Sequence, residues 1–261
     1  MRLVVAPLRN IRKILPRLGE GAGRRWRRVD NLLGVLLVVQ SVGAIGVAGT
    51  EGMTGVGAHF ALAASVLCLL LKARGFALVA ALWFLIEPTV EFAASPGVDG
   101  LVDLLAHASR YGIGIALVAP SHLIPVLCAS ASLTFIGHGV EALMLKPIFV
   151  DYLAYAGNLA GVALSTSHAE LVLRGIGAVD VGAGLALARR RSRTQVLAYM
   201  VYWGVITALF RVVFGGGEGL PEALLRVANG GVPLVLLWLL QKSVHASRSD
   251  SLVNSAIPAR R

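Results

Sequence analysis

Charge is scarce in this sequence. Only 15% of its 261 residues are Asp, Glu, Lys or Arg, against 56% that are hydrophobic, whereas a soluble domain carries about a quarter charged residues. A water-facing surface cannot be assembled from so little charge, so lipid must be the solvent for most of the chain. Acidic residues are the scarcer kind, 14 against 24 Lys and Arg, which leaves a net charge of +10. Cysteine is nearly missing. Cys68 and Cys128 stand far apart with no C-x-x-C spacing. That excludes a thiol–disulfide enzyme built on a paired, activated thiolate, and buried free thiols are the expected reading. No glycine-rich phosphate loop, nucleophile elbow or haem-attachment motif occurs. His138 and Glu141 lack a third and fourth ligand at a recognisable spacing, so no metal site is expected. With no nucleophile–base pair either, an enzyme acting alone is the weakest reading.

What the chain does have is long apolar runs. They are continuous rather than alternating, which points to helices and not to a barrel, because a lipid-exposed backbone must satisfy its own hydrogen bonds. Thirty glycines suit close helix packing in lipid. The runs predict an all-α, polytopic membrane protein with eight transmembrane helices, at about 31–49, 57–72, 75–93, 102–119, 123–144, 169–188, 194–214 and 221–240. Several are shorter than the roughly 20 residues that cross ~30 Å of hydrocarbon.

The pattern runs twice, as one four-helix set over 31–119 and a second over 120–241. Trp83, Glu87 and Glu91 fall opposite Trp203, Thr207 and Arg211, and Asp103, His107 and Arg110 opposite Glu222, Arg226 and Asn229. Gly46-Val47-Ala48 takes the place of Gly137-His138-Gly139. Lys72 and Arg74, the arginines at 189–193, and Lys242 with Arg248 fall in alternate loops, while Glu51, Asp99 and Glu218 fall in the others. By the positive-inside rule both termini are cytoplasmic. The two sets are then parallel repeats, related by an axis along the membrane normal. The expected location is a bacterial or archaeal inner membrane.

Residues 1–30 form a basic tail. Within it Val4, Leu8, Ile11, Leu15 and Leu18 recur at helical spacing among arginines, as in an interfacial helix on anionic lipid headgroups. Beside a span, such lipid and not nucleic acid is the expected partner. Pro7 and Pro16 interrupt the tail, so no cleavable signal is expected and the first span should act as an anchor. Residues 242–261 form a second cytoplasmic tail. Residues 145–168, too apolar for a free loop, should lie on the outer face or dip into the bundle.

Charges inside spans cost about 2.5–3.5 kcal/mol each on insertion scales, and they persist when paired or facing a cavity. The second set holds His138, Glu141, Arg174, Asp180, Thr207, Arg211, Arg226 and Asn229. All can reach one region in the outer half of the bundle and form a pocket for an anionic or strongly polar group. Structural alternatives stand beside this reading. His138 can be a packed histidine, Glu141 an interface marker, and Arg211 can snorkel. Glu222 and Arg226 can pair with each other at i, i+4, and Asp180 can pair with Arg174 or Arg226. Trp83 and Trp203 read as packing residues. A structural ion pair between Glu91 and Arg211 is expected if the third and seventh helices meet.

Two stretches carry a family resemblance. Leu133-Thr134-Phe135-Ile136-Gly137-His138-Gly139 resembles the His-Gly motif that ends the first helix of DoxX-like membrane proteins. Ile176-Gly177-Ala178-Val179-Asp180-Val181-Gly182-Ala183-Gly184 resembles their Gly-x-x-Glu-x-x-Gly-Gly second helix, with aspartate at Asp180 in place of the usual glutamate. These are four-span bundles named after small subunits of an archaeal thiosulfate:quinone oxidoreductase. The resemblance implies an accessory to a membrane redox partner that binds a small polar or quinone-type ligand. His138 would then exchange a proton with a ligand oxygen or hydrogen-bond it, the arginines would hold negative charge, and Asp180 would orient them. Two rival classes fit the same residues: a transporter of a small anion or metabolite, and a non-catalytic assembly partner.

Overall fold

The computed structural model describes residues 19–49, 52–94, 96–189 and 193–255. The amphipathic segment at 3–18, Glu51, Arg190 and Arg191 lie outside the described residues. Among these residues every regular element is a helix and none is a strand. In chain order they are α1 (Gly19–Ala48), α2 (Gly52–Leu71), α3 (Gly75–Ala94), α4 (Val98–Ala106), α5 (Ala108–Val118), α6 (Leu123–Leu143), α7 (Pro147–Leu159), α8 (Thr166–Ala188), α9 (Arg193–Gly215), α10 (Leu220–Leu225) and α11 (Val227–Ser255).

Six stretches are long and apolar enough to cross a membrane: Arg28–Ala48, Met53–Leu71, Gly75–Ala94, Pro120–Leu143, Thr166–Ala188 and Arg193–Leu225. A seventh follows if α4 and α5, bent by 51° at His107, count as one span. Large apolar side chains such as Phe60, Leu70, Leu171 and Leu209 point outward, as a lipid-facing surface requires. The protein is a multi-pass membrane bundle. Six or seven spans meet this measure; the apolar run expected at 221–240 breaks at Arg226 and leaves Val227–Lys242 as a shorter apolar helix beside them. At the N-terminus helix begins at Gly19, inside the expected tail. No proline interrupts residues 19–48, so the apolar span can propagate its helix back through the arginines.

The core is built from Leu33, Leu37, Phe84, Ile113, Leu123, Leu127, Leu197, Met200 and Leu236, with alanines between them. Helices approach closely where glycine removes the side chain. A Cβ on Gly177 would lie 2.6 Å from the carbonyl oxygen of Gly139, and one on Gly139 would lie 2.8 Å from that of Gly177. That mutual contact brings the α6 and α8 backbones together, as small residues do in lipid.

The two breaks match in detail. His107 has φ −90°, ψ 3°, and Arg226 has φ −93°, ψ 3°. After each break, an amide three residues on returns to the breaking residue's carbonyl: Arg110 N to His107 O, and Asn229 N to Arg226 O, both at 2.9 Å. A break frees backbone groups that must be paired elsewhere in lipid. Thr134 of α6 accepts from Ser109 N at 2.8 Å, and Gln40 of α1 donates to Arg110 O at 2.9 Å. Each short arm lies across a helix of the other half of the chain: α4 packs on α6, and α10 packs on α1.

Candidate ligand-binding site

The connection at 145–168 forms α7, a helix opened by Pro147, a residue suited to the first helical position because its missing N–H would be unpaired there anyway. The chain turns away at Gly161, whose φ of +72° favours glycine. α7 packs on α8 and α9. Its aromatic side chains meet those of α9 edge to face, with Tyr152 4.7 Å and Tyr155 5.2 Å from the Phe214 ring. The Arg211 guanidinium sits 4.4 Å above the Tyr152 ring and also donates to its hydroxyl. Burial pushes the Tyr152 hydroxyl above its usual pKa, so it stays neutral.

Beneath this aromatic cover is a cavity of about 360 Å³, within the usual size of small-molecule sites. Phe135, Phe149, Ile176, Trp203 and Phe210 supply apolar wall. His138, Asp180, Thr207, Arg211, Arg226 and Asn229 supply polar points. The polarity is not uniform. Asp180, 4% exposed, accepts from Tyr199 Oη at 2.6 Å and Trp203 Nε1 at 3.2 Å. Thr207 returns its hydroxyl to Trp203 O at 3.0 Å. On another side, Arg211 and Arg226 share one carboxylate, Glu222 Oε2, at 3.0 and 3.2 Å. Two guanidinium groups against one carboxylate leave that side with a positive excess. Arg226 Nε and Asn229 Oδ1 are buried without a hydrogen-bond partner in the protein.

His138 links the cavity to a second polar group. Its Nε2 is 3.2 Å from Asn229 Nδ2, and its Nδ1 is 2.8 Å from Glu141 Oε2. Glu141 Oε1 in turn accepts from Lys146. The lysine also approaches Asp103 Oδ1 at 3.8 Å, and Asp103 Oδ2 lies 3.2 Å from His107 Nδ1 at the first break. Six of the eight residues expected in the pocket therefore line one cavity. Glu141 stands behind His138 rather than at the wall.

Other expectations are corrected. Arg174 is exposed and does not line the cavity. The buried face of α8 runs through Leu173, Gly177, Asp180 and Gly184, and Arg174 sits one residue off that stripe. The Glu91–Arg211 pair does not form. Arg211 is held by Glu222, while Glu91 lies near Asp103 and Glu87. Asp180 pairs with no arginine. Gly137 and Gly43 each would thrust a Cβ into the backbone of a broken helix's short arm, whereas Gly46 faces the Pro221 side chain. Trp203, Tyr199, Tyr152 and Lys146 were missed by sequence reasoning. Tyr199 and Trp203 are i, i+4 on α9, which puts both on one face, and that signal was available. Comparison with family models, with curated proteins and with solved structures finds no match to this chain.

Proposed function

We propose that this protein binds a small amphiphilic ligand of quinone type in the cavity beneath α7, with its polar head toward His138, Asn229 and Arg226. The observation that carries the reading is the cavity itself: mostly aromatic and aliphatic wall, with His138, Arg211, Arg226 and Asn229 as its few polar points on one side. An apolar pocket with a few convergent polar groups is the usual form of a small-molecule site. The redox-accessory role rests on the DoxX-like resemblance of residues 133–139 and 176–184. In this proposal the chain is a duplicated, eight-span bundle of a bacterial or archaeal inner membrane with both termini in the cytoplasm. The matched breaks at His107 and Arg226 and the reciprocal packing of α4 and α10 support the duplication. The basic tail would meet anionic lipid, and a membrane redox subunit would be the protein partner.

Native mass spectrometry with quinone and lipid extraction tests this on protein purified in detergent. Wild type should carry a bound lipophilic molecule. Thr207→Trp, which fills the cavity from one wall, should lose it at least about tenfold, a difference of roughly 1.4 kcal/mol, and keep its melting temperature within a few degrees. An empty wild type that is equally stable as the variant would instead favour the assembly-partner reading. One further observation favours transport of a small anion: two broken helices meet beside a positively charged cavity, as in transporter binding sites. In proteoliposomes that reading requires anion flux that Arg226→Gln abolishes.

A further inference from the structure

We infer that His138, Glu141 and Lys146 form a proton path from the cavity to the bundle end at Lys146, and that the ligand is therefore one with an acidic hydroxyl, of phenol or quinol type. This rests on the cavity reading above. The three side chains are in unbroken contact, from a cavity wall through a buried carboxylate to solvent. Side-chain exposure rises from 7% at Glu141 to 46% at Lys146. An ionised Glu141 can only accept, so His138 Nδ1 carries the hydrogen and Nε2 keeps its lone pair on the cavity side. A carboxylate that fixes a histidine in this tautomer makes the far nitrogen a base aimed at whatever occupies the site. Lys146 compensates the charge of Glu141.

The transfer balances without electrons. The ligand O–H breaks and its proton bonds to Nε2. The Nδ1 hydrogen passes to Glu141 Oε2, whose carboxyl O–H then donates back to Nδ1, and Lys146, no longer facing an anion, releases a proton to water. His138 remains neutral with its tautomer reversed, and the steps run backward when the ligand leaves. The ligand oxyanion lies against the positive side of the cavity, beside Arg211 and Arg226. The Asn229 amide now on Nε2 must yield its place, and its bond is long at 3.2 Å. Other charged groups face His138 as well. Asp180 approaches from α8, His107 from the first break, and Arg226 from the second. Glu141 alone among these carboxylates touches the ring.

The test uses the full chain in phosphatidylcholine nanodiscs, with 4-octylphenol and its methyl ether as probes. Calorimetry in two buffers of different ionisation enthalpy counts protons. Wild type should bind the phenol about tenfold tighter than the ether, as a site built to hydrogen-bond a hydroxyl does, and should release protons with the phenol only. Glu141→Gln, behind the cavity wall, should bring the two affinities within about twofold and abolish release, with ether affinity unchanged as evidence that the cavity is intact. His138→Gln should abolish release as well. Lys146→Gln should abolish the release seen with a pH-sensitive dye. If wild type binds phenol and ether equally and releases nothing, the proton path is wrong while the cavity reading stands. If neither probe binds, both are wrong.

Discussion

Replacing either Gly43 or Gly137 by leucine should leave little folded protein. A Cβ at Gly137 would lie 2.3 Å from Ala106 N and 2.7 Å from Ala106 Cα, and one at Gly43 would lie 2.3 Å from Leu225 N and 2.6 Å from Pro221 O. These neighbours are main chain, so no rotamer change relieves the clash. Only a shift of the whole arm would do so, and the arm carries Asp103 and His107 at one break and Glu222 and Arg226 at the other. Overpacking costs about 1–3 kcal/mol where side chains can adjust. Here the penalty should reach the upper end of that range or exceed it. Gly175 and Gly182 supply the control, because a Cβ on either meets nothing within 4 Å. Leucine there should be silent. The measurement is the monodisperse fraction after detergent extraction, together with the thermal midpoint. Equal behaviour of Gly137→Leu and Gly175→Leu would remove the argument that the arms are seated through these glycines.

Asp180→Leu should be nearly as damaging, for an electrostatic reason. Tyr199 and Trp203 both direct hydrogen-bond donors at this carboxylate, and it is buried among apolar side chains. Leucine has the same branching but accepts nothing. Two half-buried donors would be left without partners, each costing about 1 kcal/mol or more, for a total of about 2 kcal/mol or more. Asp180→Asn keeps one acceptor oxygen and should cost about 1 kcal/mol, the worth of one ordinary hydrogen bond. Tyr199→Phe removes a donor instead of stranding one and should be milder than the leucine variant. Moreover, Asp180→Leu in a Tyr199→Phe background should cost less than in wild type, because one stranded donor is gone. Unfolding midpoints of the four proteins decide it. If the leucine and asparagine variants melt together, Asp180 is not the acceptor on which this wall depends.

The membrane class and helical composition were legible in the sequence because they depend on solvent. Lipid forbids charge over long stretches, and the apolar runs record that directly. Six of the proposed pocket residues could also be gathered by depth alone, since a charge in mid-span must meet another polar group. Helix phase was the weaker step. Arg174 and Asp180 share α8 but not a face, and the spacing of six residues already said so: at 100° per residue they stand about 120° apart. The Glu91–Arg211 pair depends on the third and seventh helices meeting, and Arg211 instead meets Glu222 on the neighbouring arm. The breaks at His107 and Arg226 left no usual mark, since neither proline nor glycine stands at either position. They are held by tertiary partners, namely Thr134 and Gln40 at the first, and such partners are distant in sequence. Trp203 looked like packing because its ring does pack; its N–H finds Asp180 only after α8 and α9 are set side by side.

The reciprocal placement of the arms bears on how the chain is made. The helix α1 emerges early in synthesis, yet its cover is α10, which follows some 170 residues later in the chain. The first half must therefore wait in the bilayer with one flank against lipid while the remainder is translated. The polar residues of the first arm, Asp103 and His107, enter before α6 exists. A bundle closed in this order matures as a whole at the end of insertion, and a ribosome that stops before α10 leaves a first half that cannot close.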